Sequence, residues 1–205
     1  MADVKITDLT SASTPLAGTE LFETVQGGAS KKVAASAIGN SANALPYASL
    51  TGRAYISAYS TTDQTGNTGA ATAVKIENTS FSAGISMANN GSGDPTRITF
   101  AAAGTYMIAP SIQLKNTDST DHNVNIWFRI NGTDAANSNT VLTVPKAASG
   151  GNTFFQIVFY AQVTAGQYVE IMWLPTNTLA TLDYIPAGAI APAAPSVILA
   201  TERIA

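Results

Sequence analysis

"ITFAAAGTYMIAPSIQLKN", Ile98 to Asn116, is the stretch that decides the fold. Tyr106, Ile108, Ile112 and Leu114 are apolar, and Thr105, Ser111, Gln113 and Lys115 between them are polar. A period of two residues is that of a strand with one buried face. Working outward, "AYISAYS", "TAVKIE", "NVNIWFRIN", "NTVLTV", "TFFQIVFYAQV", "GQYVEIMWL", "ATLDYI" and "PSVILATERI" also read as strands. Turn signals separate most of them, including Asn90-Gly91, "NTDSTDH" and Asn131-Gly132. About eight to ten strands without a convincing amphipathic helix predict an all-β, antiparallel sandwich or jelly roll.

Two strands are apolar on both faces. "GQYVEIMWL" places Val169, Ile171 and Trp173 on one side, with Tyr168, Met172 and Leu174 on the other. "TFFQIVFYAQV" sets Phe155, Ile157 and Phe159 against Phe154, Val158 and Tyr160. In a two-layer sandwich only one face meets the opposing sheet. The other needs its own cover, because a large exposed apolar patch is rare on a monomer. Self-association is the expected cover, with aromatic residues at the contact.

Composition narrows the function classes. Charged residues make up 11% of the 205 residues, against roughly 25% in ordinary soluble domains. Ten Lys and Arg against 13 Asp and Glu give a net charge of -3, which is no electrostatic footprint for nucleic acid or an anionic membrane. The chain has no cysteine, and "MADVKITDLTSAS" lacks the apolar core of a signal peptide.

The first 45 residues read differently. "ELFETVQ" and "KKVAA", separated by "GGAS", form a short hairpin in this reading, and "SAIGNSANAL" holds one helical turn with Gly39 as its stop. The segment is too small to fold securely alone and reads as an arm ordered against a partner. "LPYASLTGR" then serves as a linker. The expected division is an arm at 1–45, a linker at 46–53 and the β domain at 54–205.

Reactive groups are sparse. His122 is the single histidine, in a hydrophilic turn with Asp118 and Asp121, and reads as a solvated loop residue. One imidazole and two carboxylates do not complete a zinc set. Asp63, Asp94, Asp118, Asp121 and Asp134 lack the spacing of an EF-hand calcium loop. Glu77, Glu170 and Asp183 cannot be paired into a hydrolytic site from sequence. Neither "QGGAS" nor "ANNGSGDP" has the lysine of a phosphate loop. No enzyme activity and no cofactor are expected. Tyr47, Tyr55, Tyr59 and Tyr184 are candidates for a sugar platform, although packing is the commoner fate of such residues.

Two stretches carry a resemblance. "ITDLTSASTPLAGTELFETVQGGASKKVAASAIG", Ile6 to Gly39, resembles the N-terminal attachment segment of many tailed-bacteriophage structural proteins. From Tyr55 to Ala205, "ITFAAAGTYMI", "IWFRINGTDAANS", "VTAGQYVEIMW" and "APSVILATERI" resemble phage surface domains of the C1q/TNF-like jelly-roll type. Its best marker is Phe100 in a strand, Gly104 in the turn and Tyr106 pointing inward.

The resemblance implies a homotrimer and no catalytic residues. Trp127, Tyr160, Tyr168, Met172 and Trp173 are then the candidates for the trimer axis. Ile6, Leu9, Leu21, Phe22, Val25 and Val33 are the candidates for attachment to a major capsid protein or another virion protein. The function expected is a capsid decoration or cement protein on the virion surface, made in the host cytoplasm. The alternative is a tail-fibre or spike module that grips host polysaccharide through loops such as 61–71, 116–122 and 132–139.

Overall fold

The computed structural model describes residues 53–205 throughout, with the backbone of strands β1 (Leu21–Gln26) and β2 (Ala29–Ala34). The chain divides into two compact units, Met1–Gly52 and Arg53–Ala205. In the first, β1 and β2 make the expected antiparallel hairpin, with Phe22 opposite Val33 and Gln26 opposite Ala29. Leu21, Phe22, Val25 and Val33 thus lie on strands. Ile6, Leu9, the expected turn at Gly39 and the linker up to Gly52 lie outside the described residues.

The second unit is built of strands. It opens with β3 (Tyr55–Ser60), two short segments, β4 (Gln64–Thr65) and β5 (Thr72–Ala73), then β6 (Asn78–Ala83) and β7 (Ile85–Asn89). Next come β8 (Pro95–Phe100), β9 (Gly104–Asn116), β10 (His122–Ile130), β11 (Thr133–Asp134) and β12 (Thr140–Val144). The last are β13 (Asn152–Gln156), β14 (Phe159–Val163), β15 (Tyr168–Pro175), β16 (Ala180–Leu182) and β17 (Val197–Arg203). Among the described residues the one helical segment is a 3-10 turn at Ala147–Ser149.

The pairing is that of a long hairpin rolled on itself. β3 pairs with β17, β8 with β15, β9 with β13 and β14, and β10 with β12, all antiparallel. Rolling nests these pairs into two sheets, so that β17 lies between β3 and β9, and β15 between β8 and β10. This is the jelly roll. The first sheet holds β6, β3, β17, β9 and the β13–β14 edge, and the second holds β7, β8, β15, β10 and β12.

The core fills the space between the sheets. Trp173, Tyr106, Phe100 and Phe128 are its largest fully buried side chains. Tyr106 points inward as expected; its ring centroid lies 4.3 Å from that of Phe100 and its hydroxyl donates to the Ala102 carbonyl at 2.8 Å. Phe128 stacks on Phe159 at 4.3 Å.

Three departures from the sequence pattern have local causes. "TFFQIVFYAQV" is two strands because β9 carries Pro110 opposite the break, and proline offers no N–H to that edge. "TAVKIE" pairs as a strand only at Thr72–Ala73. Beyond it, Val74 and Ile76 stay buried by donating their N–H groups to Ile171 and Pro95, each at 2.8 Å. β6 and β7, in "NTSFSAGISMAN", are not among the strands read from sequence, although Phe81, Ala83, Ile85 and Met87 alternate with Ser80, Ser82, Gly84 and Ser86. They are edge strands joined at Gly84, whose φ of +65° turns the chain from one sheet into the other.

Candidate functional site

The outer face of the first sheet is a candidate contact surface, and strand alternation generates it. On β9 the inward residues are Tyr106, Ile108, Pro110, Ile112 and Leu114, which leaves Met107, Ala109 and Ser111 facing out. Register carries this face across the sheet: Met107 stands beside Tyr160 and Glu202, and Glu202 beside Tyr55. In the next rows Ala109 adjoins Ala200 and then Ser57, and Ser111 adjoins Ile198 and then Tyr59. The centre is uncharged, and larger apolar groups surround it together with exposed Glu202. Tyr160 is 58% exposed, Phe154 57% and Phe81 61%, with Phe81 set edge-on to Tyr55 at 6.0 Å. Lys115, 3.2 Å from Asp183, marks one polar end.

The five residues expected at a trimer axis do not share one surface. Tyr160 lies on this face. Trp127, Tyr168 and Met172 belong to β10 and β15 on the outer side of the second sheet, and Met172, paired with Trp127 and Ala73, is buried. Trp173 is fully buried between the sheets. Its place at an axis is therefore corrected to a place in the core, because the alternation of β15 turns Val169, Ile171 and Trp173 inward together. By sequence, β15 and the β13–β14 stretch are both apolar on two faces. Segment 72–76 pairs with the edge of β15, where Met172 is buried, whereas Phe154, Val158 and Tyr160 of the β13–β14 edge remain exposed.

Phe81, Ile198 and the small residues Ala109 and Ala200 were not singled out from sequence. Ile198 had a readable signal, since "SVILAT" is apolar at successive positions. Phe81 had one too, in its alternation with Ala83, Ile85 and Met87.

Several titratable groups are held in structural pairs. His122 is not a solvated loop residue: it begins β10, its side chain is 12% exposed, and Nε2 lies 2.7 Å from Asp118 Oδ2. A carboxylate only accepts, so Nε2 carries the proton. That bond and the Ser119 N–H hold the Asp118 carboxyl below its ordinary value. Glu170 is buried and accepts from Thr96 Oγ1 at 2.7 Å, while Asp183 is engaged by Lys115. Among the described residues no three His, Cys, Asp or Glu side chains converge on a metal-sized site. Of the tyrosines, Tyr55 and Tyr59 sit on the first-sheet face, Tyr184 follows β16, and Tyr47 lies outside the described residues.

No family model matches the sequence. No curated protein matches it either. Among solved structures, three crystal structures of murine APRIL, at pH 8.5, 5.0 and 8.0, are similar in fold outline. Each has 7% identity and a TM-score of 0.46, with 74% of this chain and 99% of that one covered. The jelly roll itself is assigned from the strand pairing given above.

Proposed function

We propose that the protein is a structural component of a tailed-bacteriophage particle, a trimer of jelly rolls that decorates the head and is held there by residues 1–45. The observation that carries self-association is the outer face of the first sheet, with an uncharged centre at Ala109, Ala200 and Ser57 flanked by the exposed apolar side chains of Tyr55, Phe81, Phe154, Tyr160 and Ile198, with Glu202 the one acidic group among them. Removing the exposed parts of these apolar side chains from water, at roughly 25 cal/mol per Å², favours association and is set against the freedom lost on docking. Three-fold symmetry and the phage setting come from the resemblance of Ile6–Gly39 and of Tyr55 onward to phage surface proteins. Three arms joined through one trimer bind by avidity, so modest contacts per arm give lasting attachment.

Decoration is preferred to a fibre because the arm runs almost directly into the globular unit, with no repeat shaft between them. A second reading, recognition of host polysaccharide, is favoured by a groove beside Trp127. Electron microscopy of particles labelled with antibody against residues 54–205 separates the two. Label over the whole head at lattice spacing supports decoration. Label confined to the tail refutes it.

A further inference from the structure

The groove lies on the outer face of the second sheet, away from the proposed contact surface. Trp127 and Asn125 of β10 form its floor with Leu174 of β15, which stands opposite Asn125 in the ladder. Asp134, Asn137 and Asn139 form its wall. Its volume is about 360 Å³, within the range of roughly 300–1,000 Å³ for small-molecule sites.

The wall is fixed before any ligand arrives. β12 stops pairing with β10 at Ile126 and Thr140, and the chain between turns away. Buried Ser138 replaces the ladder there: its Oγ accepts from the Phe128 N–H at 3.1 Å and donates to the Ala135 carbonyl at 2.8 Å. The Ala135 N–H donates to the Phe128 carbonyl at 2.9 Å. Asn137 completes the loop in the left-handed region, with φ of +61°.

The polar atoms are oriented too. Asp134 Oδ1 accepts from Trp127 Nε1 at 2.9 Å and from Arg129 Nε at 2.7 Å. Asn139 Nδ2 donates to Asn125 Oδ1 at 3.0 Å. Each planar group thus has one committed atom and one to spare. Asp134 Oδ2, Asn125 Nδ2 and Asn139 Oδ1 have no partner among the described residues.

We infer that this groove binds a neutral pyranose residue of a saccharide. A pyranose has a face of C–H groups and a rim of hydroxyls that both donate and accept. Indole and Leu174 match the face; one carboxylate oxygen, one amide donor and one amide acceptor match the rim. A wholly apolar ligand would strand those polar atoms out of water. Arg129 already balances Asp134, so an anionic sugar finds no unpaired cation and meets a carboxylate. This inference deepens the polysaccharide reading and requires neither a trimer nor a position on the head.

The test is a titration of the purified full chain with methyl glycosides of glucose, galactose and mannose, with N-acetylglucosamine, and with glucuronic acid, followed by two-dimensional NMR. The two tryptophans give separate indole signals, and Trp127→Phe assigns them. At least one neutral sugar should shift the Trp127 indole and the Asn125 and Asn139 amides saturably, leaving Trp173 unmoved. Trp127→Ala should weaken binding by about tenfold or more and Asn139→Ala by about fivefold, as expected for a lost stacking surface and a lost hydrogen bond. No shift with any neutral sugar at about 100 mM, a concentration that reveals even millimolar affinity, overturns the inference. So does binding of glucuronic acid alone, or binding undiminished in Trp127→Ala. Sedimentation of the same samples reports oligomeric state independently: a monomer that binds sugar refutes only the contact surface, and a trimer that does not refutes only the groove.

Discussion

Trp173 and Trp127 occupy strands paired side by side, yet burial separates their roles. Trp173 fills the core, so Trp173→Ala should cost roughly 3–5 kcal/mol of stability, measured by urea unfolding. A charged replacement there tests folding and says nothing about association. Asp118 shows what local hydrogen bonds do to stability at low pH. Its carboxyl is depressed first by the His122 bond and then by the Ser119 N–H. A carboxyl lowered on folding contributes stability that is fully present above its unfolded value of about 3.9 and is lost as pH falls through the lower folded value. Thermal melts should therefore show an acid-side loss of stability that is smaller in Asp118→Asn, whose melting temperature should already be lower at neutral pH. An acid profile identical to the parent's would remove the bond from the account.

At the scale of elements, the molecule depends on where strands stop and cross. Gly84 carries the chain from the first sheet to the second at φ of +65°, and a Cβ there would sit 3.0 Å from the Cβ of Ala54. Gly84→Ala should destabilise by about 1–3 kcal/mol through backbone strain, visible as a lower denaturant midpoint with an unchanged slope. Gly66 is constrained differently, by space: a Cβ there would lie 2.6 Å from Cδ of Pro175 and 3.0 Å from Cη2 of Trp173. Gly66→Ala should consequently disturb the packing of Trp173, readable in its fluorescence, while the strands persist. Pro110 makes the complementary point. By interrupting one edge of β9 it divides the β13–β14 strand beside the face that carries Tyr160 and Val158.

For the whole molecule, the two outer faces offer two separable activities. Ala200 is exposed at the uncharged centre of the first sheet, so Ala200→Arg requires no change in the fold but would place a charge in the proposed contact. Sedimentation should then report folded monomers where the parent chain sediments as a trimer; an unchanged profile would move the contact elsewhere. Deleting residues 1–45 should leave the trimer of jelly rolls intact while abolishing decoration of particles. A truncated chain that is monomeric would transfer the assembly role from the β domain to the arm.

Much of this was legible in the residues themselves. Alternation in "GTYMIAPSIQLKN" marks the buried face of β9, and Asn-Gly pairs mark turns, because strand geometry and left-handed backbone are local properties of the chain. The hairpin of β1 and β2 was readable for the same reason. What alternation cannot say is which sheet a strand joins, or whether its second apolar face is covered by its own chain. Tertiary structure alone decided that segment 72–76 lies along β15, that Tyr160 and Trp127 lie on opposite sheets, and that His122 meets Asp118 in a partly buried pair. The groove is a product of the same level of organisation. Asn125, Trp127, Asp134 and Asn139 converge only because β12 ends early and Ser138 takes over its hydrogen bond to Phe128, a junction set by long-range pairing that no local pattern encodes.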